Sequence, residues 1–239
     1  KLQANSPDPS RLLLAGGGSV PGFLAQPLAM SATVTGDGVT HEIAIENLSL
    51  GDLRATGRGR IVVRDHTVFD LAIAAPQVDL DRWMAMPAKT APVPAGMTAT
   101  PVPAATPANQ QQPARPAVKP ATGKPVAATE GTIDLRIDSL IWNARSARNA
   151  HVLLAMVGPV TTIREAKVAL PGNGAVALTG SIDSSRQPLT IAGVLDAKAD
   201  NVREVLQWAG VTVTDVPADR LRSFNMRGEF SGNPQQVTI

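Results

Sequence analysis

The chain has 239 residues, 44% of them hydrophobic, and its 22 basic and 20 acidic groups leave a net charge of only +2. So even a balance argues against nucleic acid or an acidic partner, and the lack of cysteine excludes disulfides, thiolate metal sites and thiol catalysis. Four Phe, three Trp and no Tyr are too few for the stacking platforms of carbohydrate or single-strand nucleic-acid surfaces, so burial has to rest on Val, Ile, Leu and Ala.

No apolar run approaches the ~18–20 residues of a membrane span, and no signal peptide opens the chain. Lys1 and the strand-like ending at Ile239 read as an excerpt from a longer protein, with any anchor outside it. Residues 1–29 read as an irregular leading segment. Within it Gly16-Gly17-Gly18-Ser19 has no lysine for a phosphate loop and reads as a flexible connection.

From residue 30 to 86 the dominant signal has period two, the mark of a half-buried strand. Ile43 and Ile45 alternate with polar residues, and Leu48 and Leu50 resume in the other phase, which predicts a bulge near Glu46-Asn47. Ile61 and Val63 follow, then Phe69, Leu71 and Ile73. Asp79 or Asp81 is placed to cap a brief helical turn at Arg82-Trp83-Met84, which Pro87 ends. Residues 87–129 hold 10 of the 20 prolines and four basic groups with no acid, and lack Ile, Leu and aromatics. Such a stretch has too little apolar surface to offset ordering entropy, which predicts an extended, disordered linker.

Residues 130–239 read as a second β unit. Ile133, Leu135 and Ile137 alternate with Asp134, Arg136 and Asp138. Val168 and Leu170 lead into Pro171-Gly172-Asn173-Gly174, and Val176 and Leu178 lead out, which is a hairpin. Leu189, Ile191 and Leu195 mark the next strand. Val202, Val205, Leu206 and Ala209 share one helical face over 201–209, with Asn201 and Glu204 spaced as a capping box and Gly210 as a C-terminal cap. Gly57 precedes Asp81 by 24 residues and Gly180 precedes Asn201 by 21. A strand pair followed by a short capped helix therefore repeats, and Phe224 to Phe230 begins a further unit.

Little in this pattern offers chemistry. Gly172-x-Gly174-x-x-Ala177 fits a dinucleotide fingerprint only if a helix follows, and Ala175 to Thr179 alternate like a strand. His41, His66 and His151 have no metal-ligand spacing, and Ser146 and Ser181 lack a nucleophile elbow. The expectation is a non-enzyme with no cofactor and no metal. Arg54, Arg58, Arg60 and Arg64 all fall at even positions, opposite Ile61 and Val63. They read as a solvated polar face or as candidate contacts for anionic lipid headgroups.

The segments Leu48-Ser49-Leu50-Gly51-Asp52-Leu53-Arg54-Ala55-Thr56-Gly57, Phe69-Asp70-Leu71 and Val78-Asp79-Leu80-Asp81-Arg82-Trp83-Met84, with the linker behind them, resemble the AsmA family. Gly131 to Ile137, Leu170 to Gly174 and Gly193 to Ala209 are similar to its later repeats. The resemblance implies a mainly β fold, an antiparallel and strongly twisted sheet of repeated β-groove units with short edge helices. It implies a periplasmic protein of a Gram-negative bacterium, anchored to the inner membrane, that serves outer-membrane biogenesis by carrying phospholipid acyl chains. The lining would be Ile43, Ile45, Ile61, Val63, Phe69, Leu71, Ile73, Ile133, Leu135, Ile137, Val168, Leu170, Val176, Leu178, Ile191 and Leu195. The alternative is a structural β-repeat protein that assists outer-membrane protein assembly through a closed core and binds no lipid.

Overall fold

The computed structural model describes residues 1–10, 19–20, 22–87, 89–90, 129–185, 188–212, 221–233 and 236–238. The expected linker thus lies mostly outside the described residues, as do Gly16, Gly17 and Gly18. The protein is mainly β. Its strands are β1 (Leu2–Ser6), β2 (Ser19–Val20), β3 (Leu28–Gly36), β4 (Thr40–Leu50), β5 (Leu53–Val63), β6 (Thr67–Asp79) and β7 (Lys89–Thr90), then β8 (Glu130–Trp142), β9 (Arg145–Val157), β10 (Val160–Leu170), β11 (Gly174–Asp183), β12 (Thr190–Ala199), β13 (Phe224–Asn233) and β14 (Gln236–Thr238). A 3-10 turn spans Gly22–Ala25, and two helices, α1 (Leu80–Ala85) and α2 (Val202–Trp208), follow β6 and β12.

Twelve strands form one sheet in the order β1-β3-β4-β5-β6-β8-β9-β10-β11-β12-β13-β14, and β2 pairs with β7 separately. Every pairing in the large sheet is antiparallel except β6 with β8, which run parallel from Val68 beside Glu130 to Asp79 beside Ile141. The two sequence units are therefore halves of one continuous sheet, joined by a parallel seam that the alternation did not reveal. The leading segment is also less irregular than expected. Leu2–Ser6 extends the sheet by pairing with Leu28–Ala32, because five residues free of Pro and Gly supply a complete backbone edge before Pro7.

The expected bulge is present. The register shifts between Ile45 and Leu48 against β5, and Glu46 and Asn47 are both exposed. A similar change of phase runs through β6, where Pro76 and Gln77 are both exposed, and β9, where Arg148 and Asn149 are. These shifts turn Leu48 and Val78 onto the side of Ala55 and Ala75, where Leu53, Ile73, Ile137, Leu140, Leu80 and Trp83 complete a small core under α1. Phe23 stacks on Trp83 with centroids 4.6 Å apart. Both helices sit at the same end of the strands rather than along the lateral edges of the sheet.

Turn chemistry explains the hairpin at 171–174. Gly172 and Asn173 have φ of 69° and 52°, in the left-handed region that favours glycine and tolerates asparagine. Gly174 is needed for space instead, since a Cβ there would meet Leu170 Cβ at 2.9 Å and Val205 Cγ2 at 3.0 Å. In α2 the Asn201 side chain caps no backbone group; its Nδ2 donates to Glu204 Oε1 at 2.8 Å, so the pair meets without forming the capping box. The other end is capped as expected: Gly210, at φ 80°, donates to Gln207 O at 3.1 Å and Val211 donates to Leu206 O at 2.8 Å.

The two aspartates beside α1 divide the work. Asp79 caps the helix by accepting from Arg82 N at 3.0 Å. Asp81 reaches across the seam and accepts from the backbone N–H groups of Asn143 (2.7 Å) and Ala144 (2.8 Å). Those two residues form the β8–β9 turn with φ of 50° and 57°. Asn143 Nδ2 donates onward to Trp208 O at 3.0 Å, and Trp142 lies against Trp208 at 5.8 Å. One short turn thus ties α1 to α2. Asp81→Ala should lower unfolding stability by about 1–3 kcal/mol, since it leaves two turn amides without a charged acceptor. Urea melts of the two proteins check this.

Candidate functional site

Cross-strand partners share a face of a sheet, so the register decides which side chains lie together. Ile43 faces Gly59 and Ile45 faces Gly57, and these glycines face Leu71 and Ile73. Ile61 faces Phe69. Across the seam Leu71 aligns with Ile133, Ile73 with Leu135 and Ala75 with Ile137. Further on Val168 faces Val176, Leu170 faces Gly174, Leu178 faces Leu195 and Ile182 faces Ile191. Ile133 connects these halves through Leu154 to Ile163 and Gly180. Val63 continues the β5 alternation beside Thr67. The register therefore brings all sixteen expected lining residues to one face.

That face holds more than the alternation announced. Val152, Leu154 and Met156 belong to it through Leu135, Ile133 and Gly131, and Phe230 joins through Gly193. The first three hide in the uninterrupted run Val152–Val157, which has no period to read. Phe69 lies over Gly131, where a Cβ would meet its ring at 2.5–2.6 Å, and Phe230 covers Gly193 in the same way. Rings over side-chain-free positions smooth the surface.

Among the described residues the apolar face is half-buried rather than enclosed. Among the described residues the buried hydrophobics are Ala32, Ala55, Ala75, Val78, Ala147 and Ala199. No Ile, Leu, Phe, Met or Trp of those residues is buried, and Val63 is 48% exposed. Among the described residues substantial strand-to-strand contacts join only hydrogen-bonded neighbours. A sandwich would bury the same alternation between two sheets.

The opposite face is a mosaic of both charges. Arg58 aligns with Ala44 and Ala72, and Arg60 with Glu42 and Asp70, so neither shares the aliphatic face. Arg60 lies 3.8 Å from Glu42. Arg54 curls onto its own turn, donating to Gly51 O at 2.6 Å and Leu53 O at 2.9 Å. Arg64 stands beyond β5 in the turn to His66. The four arginines do not meet as a single stripe.

His151 on β9 bridges two carboxylates on this polar face, 3.0 Å from Asp134 on β8 and 3.6 Å from Glu165 on β10. Arg136 donates to Asp134 at 2.9 and 3.2 Å, and Lys167 pairs with Glu165. The Arg136 hydrogen bonds hold the Asp134 carboxyl below its ordinary value; partial burial opposes this and His151 adds to it. Among the described residues no group of three or more ligating side chains is placed to hold a metal, and no helix is long and apolar enough to cross a membrane. Gly172 and Gly174 are followed by strand β11, not the helix a dinucleotide site needs. No protein-family model, curated protein or solved structure matches the chain.

A carboxyl whose folded pKa is depressed stabilises the fold above its unfolded value, ~3.9, and loses that contribution as pH falls through the folded value. Stability should therefore drop below about pH 4, and Asp134→Asn should drop less over the same window while starting lower at neutral pH. Denaturant melts from neutral pH down to pH 2 check the difference in slope.

Proposed function

We propose that this chain is a non-enzymatic carrier of phospholipid acyl chains, held along the open aliphatic face of its sheet. The observation that carries the reading is the face itself: Ile, Leu and Val aligned from β4 to β12, with no second layer over them among the described residues. Each methylene moved from water onto such a surface gains about 0.8 kcal/mol, and contiguous exposed apolar patches on this scale mark binding surfaces. Aliphatic side chains with few rings suit flexible chains rather than planar ligands. The charged groups of the polar face stay in water, and the headgroup of a lipid lying on the aliphatic face would not meet Arg58 or Arg60. The resemblance to the AsmA family supports placing this role in the periplasm, tethered to the inner membrane and serving the outer membrane.

The reading separates from a closed-core scaffold by what a carboxylate costs. Aspartate at Ile61, Leu135, Leu178 or Ile191 should destabilise the fold by far less than the ~3–5 kcal/mol of a buried unpaired charge, while phospholipid co-purifying with the protein is lost. Ile73→Asp should cost the most, because Ile73 packs on the small core under α1. Thermal melts paired with lipid extraction test this, and unfolding of all five variants would overturn the carrier reading in favour of the scaffold.

A further inference from the structure

The polar face holds two adjoining depressions over β6. One, of about 280 Å³, lies between Thr56 and Arg58 on β5 and Asp134 and Arg136 on β8. The other, of about 350 Å³, continues past Arg58 to Arg60, Asp70 and Thr132, with Glu42 at its border. Ala72 lines both and Ala74 the first, so only methyl groups stand between the long side chains on either side. Register sets this trough opposite the aliphatic face: Ala72 lies between Arg58 and Asp134, and Ala74 between Thr56 and Arg136.

Charge in the trough is matched except at one place. Asp134 accepts from Arg136 and faces His151, Glu42 lies near Arg60, and Asp70 accepts from the Thr132 hydroxyl. Arg58 has no such partner. Its cross-strand neighbours are Ala44 and Ala72, and among the described residues it makes no ion pair or side-chain hydrogen bond. Arg136 turns Nε and one Nη toward Asp134, which leaves its other Nη group to donate elsewhere. Two guanidinium groups thus border one depression with donors to spare.

The planar fork of a guanidinium matches a phosphate. The second depression has the opposite character: Glu42, Asp70 and Asp134 border it, and their carboxylate oxygens repel a further anion but accept from hydroxyl groups. It alone reaches the ~300–1,000 Å³ of small-molecule sites, more room than a bare phosphate fills. We infer that the trough seats a small phosphorylated polyol, its phosphate on Arg58 and Arg136 and its hydroxyls on Asp70 and Glu42. Such a ligand has no acyl chain and lies on the face away from the aliphatic one, so the inference stands apart from the carrier reading.

Calorimetric titration of the full chain with glycerol 3-phosphate, inorganic phosphate and glycerol tests it. Glycerol 3-phosphate should bind more tightly than inorganic phosphate, and glycerol should give no signal. Arg58→Gln should weaken both phosphates about tenfold or more, the loss of one charge-assisted contact. Arg64→Gln, the same change of charge outside the trough, should leave both unchanged. Asp70→Ala should weaken glycerol 3-phosphate but not inorganic phosphate. All three side chains are exposed, and unchanged thermal melts confirm that folding is intact. No binding of glycerol 3-phosphate, or equal weakening by Arg58→Gln and Arg64→Gln, overturns the site. Inorganic phosphate that binds as tightly as glycerol 3-phosphate, with neither responding to Asp70→Ala, overturns the polyol contacts.

Discussion

The backbone hydrogen-bond ladder is what the rest of this structure depends on. A sandwich or barrel gains most of its stability by pressing two apolar layers together; here the largest buried aliphatic group among the described residues is Val78. Cohesion therefore comes from pairing each strand with its neighbours and from lateral contact between side chains on one face. Any slip by a single residue would send a strand's aliphatic set to the polar side. The need to keep twelve strands in phase explains the placement of the irregularities. Glu46-Asn47, Pro76-Gln77 and Arg148-Asn149 change the alternation toward one end of the strands, so that Leu48, Val78 and Leu140 supply a core where α1 needs one.

The helices follow from the same constraint. An open sheet exposes its strand ends, and α1 and α2 cover one end of it. Asp81 and Asn143 link them through a turn whose positive φ values hold its amides toward the carboxylate. The polar side is organised by polar pairing: the row from Arg136 through Asp134, His151 and Glu165 to Lys167 crosses three strands.

Much of this was legible in the residues because alternation is a direct record of which side chains share a face. The fifteen aliphatics and Phe69 of one face, the 171–174 hairpin, the bulge at Glu46-Asn47 and the helix before Gly210 were readable for that reason. The repeated layout also holds: β5, β6 and α1 in the first half match β11, β12 and α2 in the second. What escaped was either non-local or unpatterned. Val152, Leu154 and Met156 are masked by apolar neighbours, and the seam between β6 and β8 joins residues about 60 positions apart, which no local period encodes. Asp81 was readable as a cap, but its turn lies beyond the linker.

The parallel seam has a consequence for how the sheet is assembled. From β3 to β6 and from β8 to β12 neighbouring strands follow one another through short connections, so these contacts close small loops, which favours early formation. The seam instead closes a loop of roughly 60 residues, at an entropic cost of ~3–4 kcal/mol before any contact repays it. On that ground the seam is expected to form after the contacts within each half. Until then β6 and β8 each present a bare edge more than ten residues long, the exposure through which chains exchange strands with one another. Asp81 and its turn, closing the far end of that seam, act as a latch against such exchange.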